Sequence, residues 1–138
     1  MASLIFNSAL NDALTGAIDF DTDTFKVMLV TSTYAPNKDT HTKRSNVTNE
    51  VVGAGYVAGG EVAAVTVTND TANDRIDTEL GAASWPAATI TARGAVYYKS
   101  RGGLASADEL VAYIDFGSDI ISTAGLFDLT ESILRIQN

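Results

Sequence analysis

Three aspartates at every second position, Asp19, Asp21 and Asp23, come nearest to a recognisable chemistry in this chain. Carboxylates at that spacing open a calcium loop, whose hard oxygen ligands wrap the cation. The pattern does not complete. Counted from Asp19, the sixth position is Thr24 rather than glycine and the twelfth is Val30 rather than glutamate. A strand pattern follows at once, so the sequence predicts a solvated turn and no metal. His41 is the only histidine and sits in a polar stretch with no serine elbow to serve, which leaves nucleophilic catalysis without a base. There are no cysteines, so thiolate zinc sites and disulfides are both excluded. Seventeen acids always offer carboxylate pairs, but no motif singles one out for sugar hydrolysis. The triplets Asn46-Val-Thr48 and Asn69-Asp-Thr71 fit glycosylation acceptors, yet the opening residues have no basic flank and only a three-residue apolar run, unlike a secretory leader. The expectation is a non-enzymatic chain without cofactors.

The stretch that organises the elements around these residues is Glu50-Val-Val-Gly-Ala-Gly-Tyr-Val-Ala-Gly-Gly60, which holds four of the eleven glycines. It does not match a dinucleotide fingerprint and leads into a strand rather than a helix, so no helix N-terminus is offered to a phosphate. It reads as a bent crossing between two strands, with glycine allowing positive φ and close backbone approach.

Length sets the frame. The 138 residues suit one domain, 1–138, with room for a proper core. Charged residues are only 19%, fewer than a free monomer usually carries, which hints at a surface that meets a partner. The net charge of −8 disfavours nucleic acid, whose phosphates would be repelled. No uncharged apolar run approaches the ~20 residues of a membrane span.

Residues 4–16 carry the one helical pattern: Ile5 or Phe6, then Ala9/Leu10 and Ala13/Leu14, stopping at Gly16. Asn7 or Ser8 could cap a slightly later start. Strands are predicted over Phe25–Thr31, Glu61–Thr68, Arg75–Leu80, Ile90–Lys99 and Leu110–Phe116, the last ending at Gly117. Two short ones follow, Leu126–Thr130 and Ile133–Ile136, and Trp85-Pro86 interrupts the uncharged run Leu80–Ala92. Residues 32–48 form a polar loop, long enough to be functional or disordered. Seven or eight strands and one short N-terminal helix argue for a mainly β fold, a β-sandwich or jelly roll.

Four segments together resemble a family of small tailed-bacteriophage virion proteins. They are Ile18-Asp-Phe-Asp-Thr-Asp-Thr-Phe-Lys-Val27, Glu50–Gly60, Thr91-Ala-Arg93 before Tyr97-Tyr98, and Leu110-Val-Ala-Tyr-Ile-Asp-Phe-Gly117. The resemblance runs from the helix to Gly125. It implies a capsid decoration, or cement, protein of jelly-roll type on the outer capsid surface of the virion, assembled in the host cytoplasm. Its partners are then the major capsid protein and further copies of itself, as a dimer or trimer. Under that reading the expected contact residues are Leu4, Ile5, Phe6 and Leu10 of the helix, Tyr56 of the glycine stretch, Lys43 and Arg44 of the basic loop, and Trp85. The alternatives are a head-fibre or tail component, or a carbohydrate-binding sandwich that would expose Trp85 or Tyr97 beside Asp77 or Asp115.

Overall fold

The computed structural model describes residues 2–138. Eight strands form two antiparallel sheets. The elements are β1 (Leu4–Ile5), α1 (Asn7–Thr15), β2 (Phe25–Val30), β3 (Glu61–Val62), β4 (Val65–Asp70), β5 (Arg75–Leu80), β6 (Ala83–Lys99), β7 (Leu110–Leu129) and β8 (Ser132–Gln137). One sheet has the order β1-β7-β6-β2-β3 and the other β4-β5-β8. The expected β-sandwich with one short helix is the fold.

Alternation along the strands generates two cores rather than one. Phe25, Val27 and Leu29 of β2 point between the sheets, where they meet Trp85, Tyr97, Val111, Phe127 and, from the small sheet, Leu80 and Leu134. Met28 and Val30 point the other way, into a second cluster with Phe6, Tyr34, Val96, Tyr98, Leu110 and Tyr113. The long polar loop covers this second cluster through Tyr34 and Val47. It is therefore an ordered lid on the core, fixed by a hydrogen bond of 2.9 Å between the Tyr34 hydroxyl and His41 Nδ1.

The start of the chain differs from the helical reading. Leu4 and Ile5 pair with Tyr113 and Ala112 at the edge of β7, so the helix begins only at Asn7. Their period is two: Leu4 and Phe6 face the outer cluster, Ile5 the inner one. Neither Asn7 nor Ser8 caps the helix; Phe6 holds the N-cap position without a side-chain bond. Gly16 ends the helix in the left-handed conformation, as its place after the last apolar residue predicts.

Two predicted breaks are bulges instead. Trp85-Pro86 does not interrupt β6, because the register against β7 shifts around Ala88 and absorbs the proline. Gly117, with φ +83°, lies inside β7 where the pairing skips between Gly94↔Asp115 and Ala92↔Ile120. The strand thus continues to Leu129 and takes in the piece predicted as separate. The predicted Glu61–Thr68 strand divides into β3 and β4, which belong to different sheets.

The glycine stretch runs along the open edge of β2. Asn49 O accepts from Thr31 N and Leu29 O from Val51 N, and the pairing resumes at Val27↔Glu61. Between these points Gly60 passes directly over β2 at φ +75°, where an added Cβ would lie 1.8 Å from Val27 O. Gly60→Ala is therefore expected to cost at least ~2 kcal/mol through strain and displacement of β2. Gly103→Ala, where a Cβ meets nothing within 4 Å, should be nearly neutral; denaturant titration of both variants compares them directly.

Candidate functional site

The residues expected to make contacts divide sharply by burial. Phe6 and Trp85 are 0% and 1% exposed, so both are core side chains, which corrects their assignment as contact residues. Phe6 is drawn inward by the edge pairing of β1. Trp85 lies between Tyr56 and Phe127, with ring centroids 5.9 and 6.0 Å away. Tyr97 is equally buried and donates its hydroxyl hydrogen to Gly81 O at 2.8 Å. The aromatic platform that a sugar-binding reading requires is therefore inside the molecule, and Asp77 and Asp115 are held by Arg135 and Arg93.

Tyr56 is half-buried and its hydroxyl is used internally. It accepts from Leu29 N at 2.9 Å and donates to Glu50 Oε1 at 2.7 Å. Burial, then the hydrogen bond to Glu50 and its charge, hold the phenol far above its ordinary range, so it stays a donor. Tyr56 is a strut of the glycine crossing, which corrects its reading as a contact residue.

Lys43 and Arg44 are likewise engaged within the chain. Arg44 Nε lies 2.7 Å from Asp108 Oδ2, and its guanidinium stacks 5.1 Å over the Tyr98 ring. Lys43 Nζ is 3.4 Å from Glu109, whose carboxylate also receives Arg101 at 2.6 Å. Asp108 and Glu109 are almost fully buried, so these cations neutralise acids that would otherwise be stranded in the interior. The basic loop is clamped to the β6–β7 hairpin rather than held out to a partner. The aspartate triplet is similarly self-satisfied. Asp19 accepts from Asp21 N, while Asp23 accepts from Asp19 N and pairs with Lys99 at 2.8 Å. Among the described residues no cluster of three or more potential metal-ligating side chains occurs.

Of the expected contact residues Leu10, on α1, is the one that stays exposed. Leu10 is 43% exposed and Leu14 90%. A groove of about 500 Å³ separates the helix from the inner face of the small sheet. Ala9, Leu10 and Ala13 form its wall; Val67, Ile76, Leu134 and Ile136 form its floor, and Asp19 and Asp21 stand at its mouth. Val67 and Ile136 share the groove with Ala9, Leu10 and Ala13 of α1 and remain exposed. Leu4 and Ile5 are half-buried and line a second groove of about 280 Å³ with Ile114 and Ile133. A separate apolar patch holds Val52 and Ile121, 94% and 70% exposed. The sequence exposed Leu10 as a candidate; the groove brings α1 together with strands more than fifty residues away and carries no local signature.

Burial raises the pKa of Glu109, but the Arg101 hydrogen bond, a backbone bond and the charges of Lys43 and Arg101 outweigh it, leaving the carboxyl below its ordinary 4.5. A folded-state value below the unfolded one gives stability that is present above pH 4.5 and lost as pH falls through the lowered value. Glu109→Gln is expected to lower unfolding free energy at pH 7 by ~2 kcal/mol. It should also flatten the decline below pH 4.5, measured by urea melts across pH.

No protein-family model, no curated protein and no solved structure matches this chain.

Proposed function

We propose that the chain is a non-enzymatic structural protein of a tailed-bacteriophage virion that binds the outer capsid surface and stabilises the shell. The observation that carries this reading is the exposed apolar surface on a well-fixed sandwich: Leu10, Val67 and Ile136 in the groove, Leu14 elsewhere on α1, and Val52 and Ile121 on a separate patch. Exposed apolar grooves of this kind mark contact with another protein. The resemblance of four segments to phage virion proteins supplies the class of partner, the major capsid protein together with further copies of the chain. The titratable side chains support it too, since the buried acids are matched by internal cations rather than aimed into a cavity.

The mechanism needs no chemistry. A protein that binds the assembled shell and not its separated subunits shifts the equilibrium toward the shell by mass action, by about 2.7 kcal/mol per site at a hundred-fold excess over Kd.

The test is the copy number of the chain in purified virions of the phage that encodes it, measured by mass spectrometry against the major capsid protein. Near one copy per capsid subunit is expected. A handful of copies would move the chain to a head fibre or the tail, and none would sink the virion reading. In shell-binding assays Leu10→Asp combined with Leu14→Asp should weaken binding at least tenfold with an unchanged thermal midpoint. Phe6→Asp should unfold the domain, since that ring is fully buried.

A further inference from the structure

Strand β7 meets β1 only at Ala112 and Tyr113, so past Gly117 its one neighbour in the sheet is β6. The direction of its backbone groups follows from β6. Thr89 N donates to Ala54 O, away from β7, so along the regular stretch that follows Ile90 and Ala92 turn toward β7 and Thr91 turns away. Their partners on β7 are Ser122, Ile120 and Ile121 respectively. Ile121, and the alternate residue Asp119, therefore turn their N–H and C=O groups out of the sheet. Among the described residues nothing takes these groups up.

An exposed isoleucine flanks this edge on each face. Ile121 is 70% exposed on the face it shares with Thr91, and Ile120 is 43% exposed on the face it shares with Ala92. The irregularities that blunt a sheet edge lie at the two ends of the stretch, at Gly117 with φ +83° and Ala124 with φ +47°. Between them Ser118–Thr123 carries no proline and one charge, Asp119. A strand paired with this stretch would cover both isoleucines.

Charge and symmetry decide whose strand it is. A chain of net charge −8 repels its own copy wherever acids line the contact, as Asp19 and Asp21 do in the α1 groove. The β7 edge is free of that penalty. An antiparallel copy set across a two-fold axis at Ile121 puts Ile121 opposite Ile121, Ile120 opposite Ser122 and Asp119 opposite Thr123. No carboxylate then faces another: the two Asp119 residues are four positions apart along the strands, about 13 Å, beyond the ~8 Å over which salt lets charges act. The outer face leading to the edge, with Thr31, Val52, Thr89 and Thr91, is uncharged and offers a basic partner nothing to bind. The outward groups match too, since each Ile121 N–H meets the other copy's Ile121 C=O.

We infer that a second copy of this chain pairs antiparallel with the β7 edge between Gly117 and Ala124, about a two-fold axis at Ile121. That such dimers sit on a capsid rests on the shell-binding reading; the pairing itself does not.

The chain has no cysteine, so an introduced one can form a disulfide only between copies. Ile121→Cys lies on the axis, at the ~5.5 Å Cα separation that a disulfide accepts. Leu126→Cys is on the same strand and 62% exposed, but ten positions from its copy, ~33 Å. Under mild oxidation the purified full chain with Ile121→Cys should form covalent dimers roughly tenfold faster, or more, than that with Leu126→Cys. Sedimentation of the unaltered chain should show a dimer. Ile121→Lys sets two ammonium groups on the axis and should weaken it roughly tenfold or more with an unchanged thermal midpoint. Amide exchange at Ile121 should slow as protein concentration rises. A monomer at every concentration, equal cross-linking of the two cysteine variants, or a dimer indifferent to Ile121→Lys overturns the inference. No capsid is involved, so the two readings fail separately. A dimer absent from virions sinks the shell assignment alone, and an abundant virion protein that does not pair at Ile121 sinks the edge assignment alone.

Discussion

Strand β2 has β6 on one side and needs partners for its other edge, and the way those partners are supplied sets most of the architecture. Backbone groups of Asn49 and Val51 serve the far end and β3 serves the near end. Between them the chain leaves β2, and the gap at Leu29 N is closed by the Tyr56 hydroxyl at 2.9 Å. That hydroxyl passes its own hydrogen to Glu50, whose same oxygen accepts from Gly59 N at 2.6 Å, and Tyr98 donates to Gly59 O at 2.5 Å. A buried backbone donor left without an acceptor costs ~1–3 kcal/mol, so a side chain standing in for a missing strand is a strong constraint on sequence. The glycines follow from it. Only a residue without Cβ can pass over Val27 at positive φ and let the tyrosine return.

Because β2 is held on both edges, its two faces can each carry a core. The inner face is closed by the small sheet, the outer face by Phe6 and the lid loop. The lid has no regular ladder of its own and is held by the isolated bridge Lys43↔Glu109, where Arg44 N donates to Asp108 O and Leu110 N to Thr42 O, together with ionic anchors. Arg44 with Asp108 and Lys43 with Glu109 tie it to the β6–β7 hairpin, within which Arg101 shares the Glu109 carboxylate. Pairs of this burial seldom add much net stability over apolar packing, but losing one partner leaves a charge without compensation. The clamp is thus better understood as fixing where the lid lies than as a large stabilising term. Fixing the lid also fixes α1, since Asn7 N donates to Lys38 O and the Asn7 amide to Asp39.

How much of this could be read from the sequence depends on how local each feature is. The strands Phe25–Val30 and Arg75–Leu80 and the helix stop at Gly16 follow from side-chain period and turn residues within a few positions. The two-residue strand β1 does not, because an edge of β7 more than a hundred residues away imposes it. Gly117 and Pro86 looked like strand ends, since a bulge and a break have the same local composition; only the opposing strand tells them apart. The site suffered for the same reason. Leu10 was visible as an apolar helix position, but Phe6, Tyr56, Lys43 and Arg44 were drawn inward by partners distant in the chain. Arg44 and Asp108 are 64 residues apart. The groove that holds Val67 and Ile136 is assembled from α1, β4, β5 and β8, which only the tertiary fold brings together.

The inward commitment of the basic side chains has a consequence at the surface. Among the described residues seven basic side chains face acids of their own chain, the excess of seventeen acids over nine bases falls on the remainder, and two of those acids, Asp19 and Asp21, line the apolar groove. Exposed apolar surface on its own attracts any apolar surface, including that of another copy. With repulsion added between like-charged rims, association with self at this face is penalised while association with a basic partner is favoured. Discrimination here needs no dedicated recognition residue. It rests on the net charge of −8, which the internal pairs do not alter, since acids and cations are taken up together.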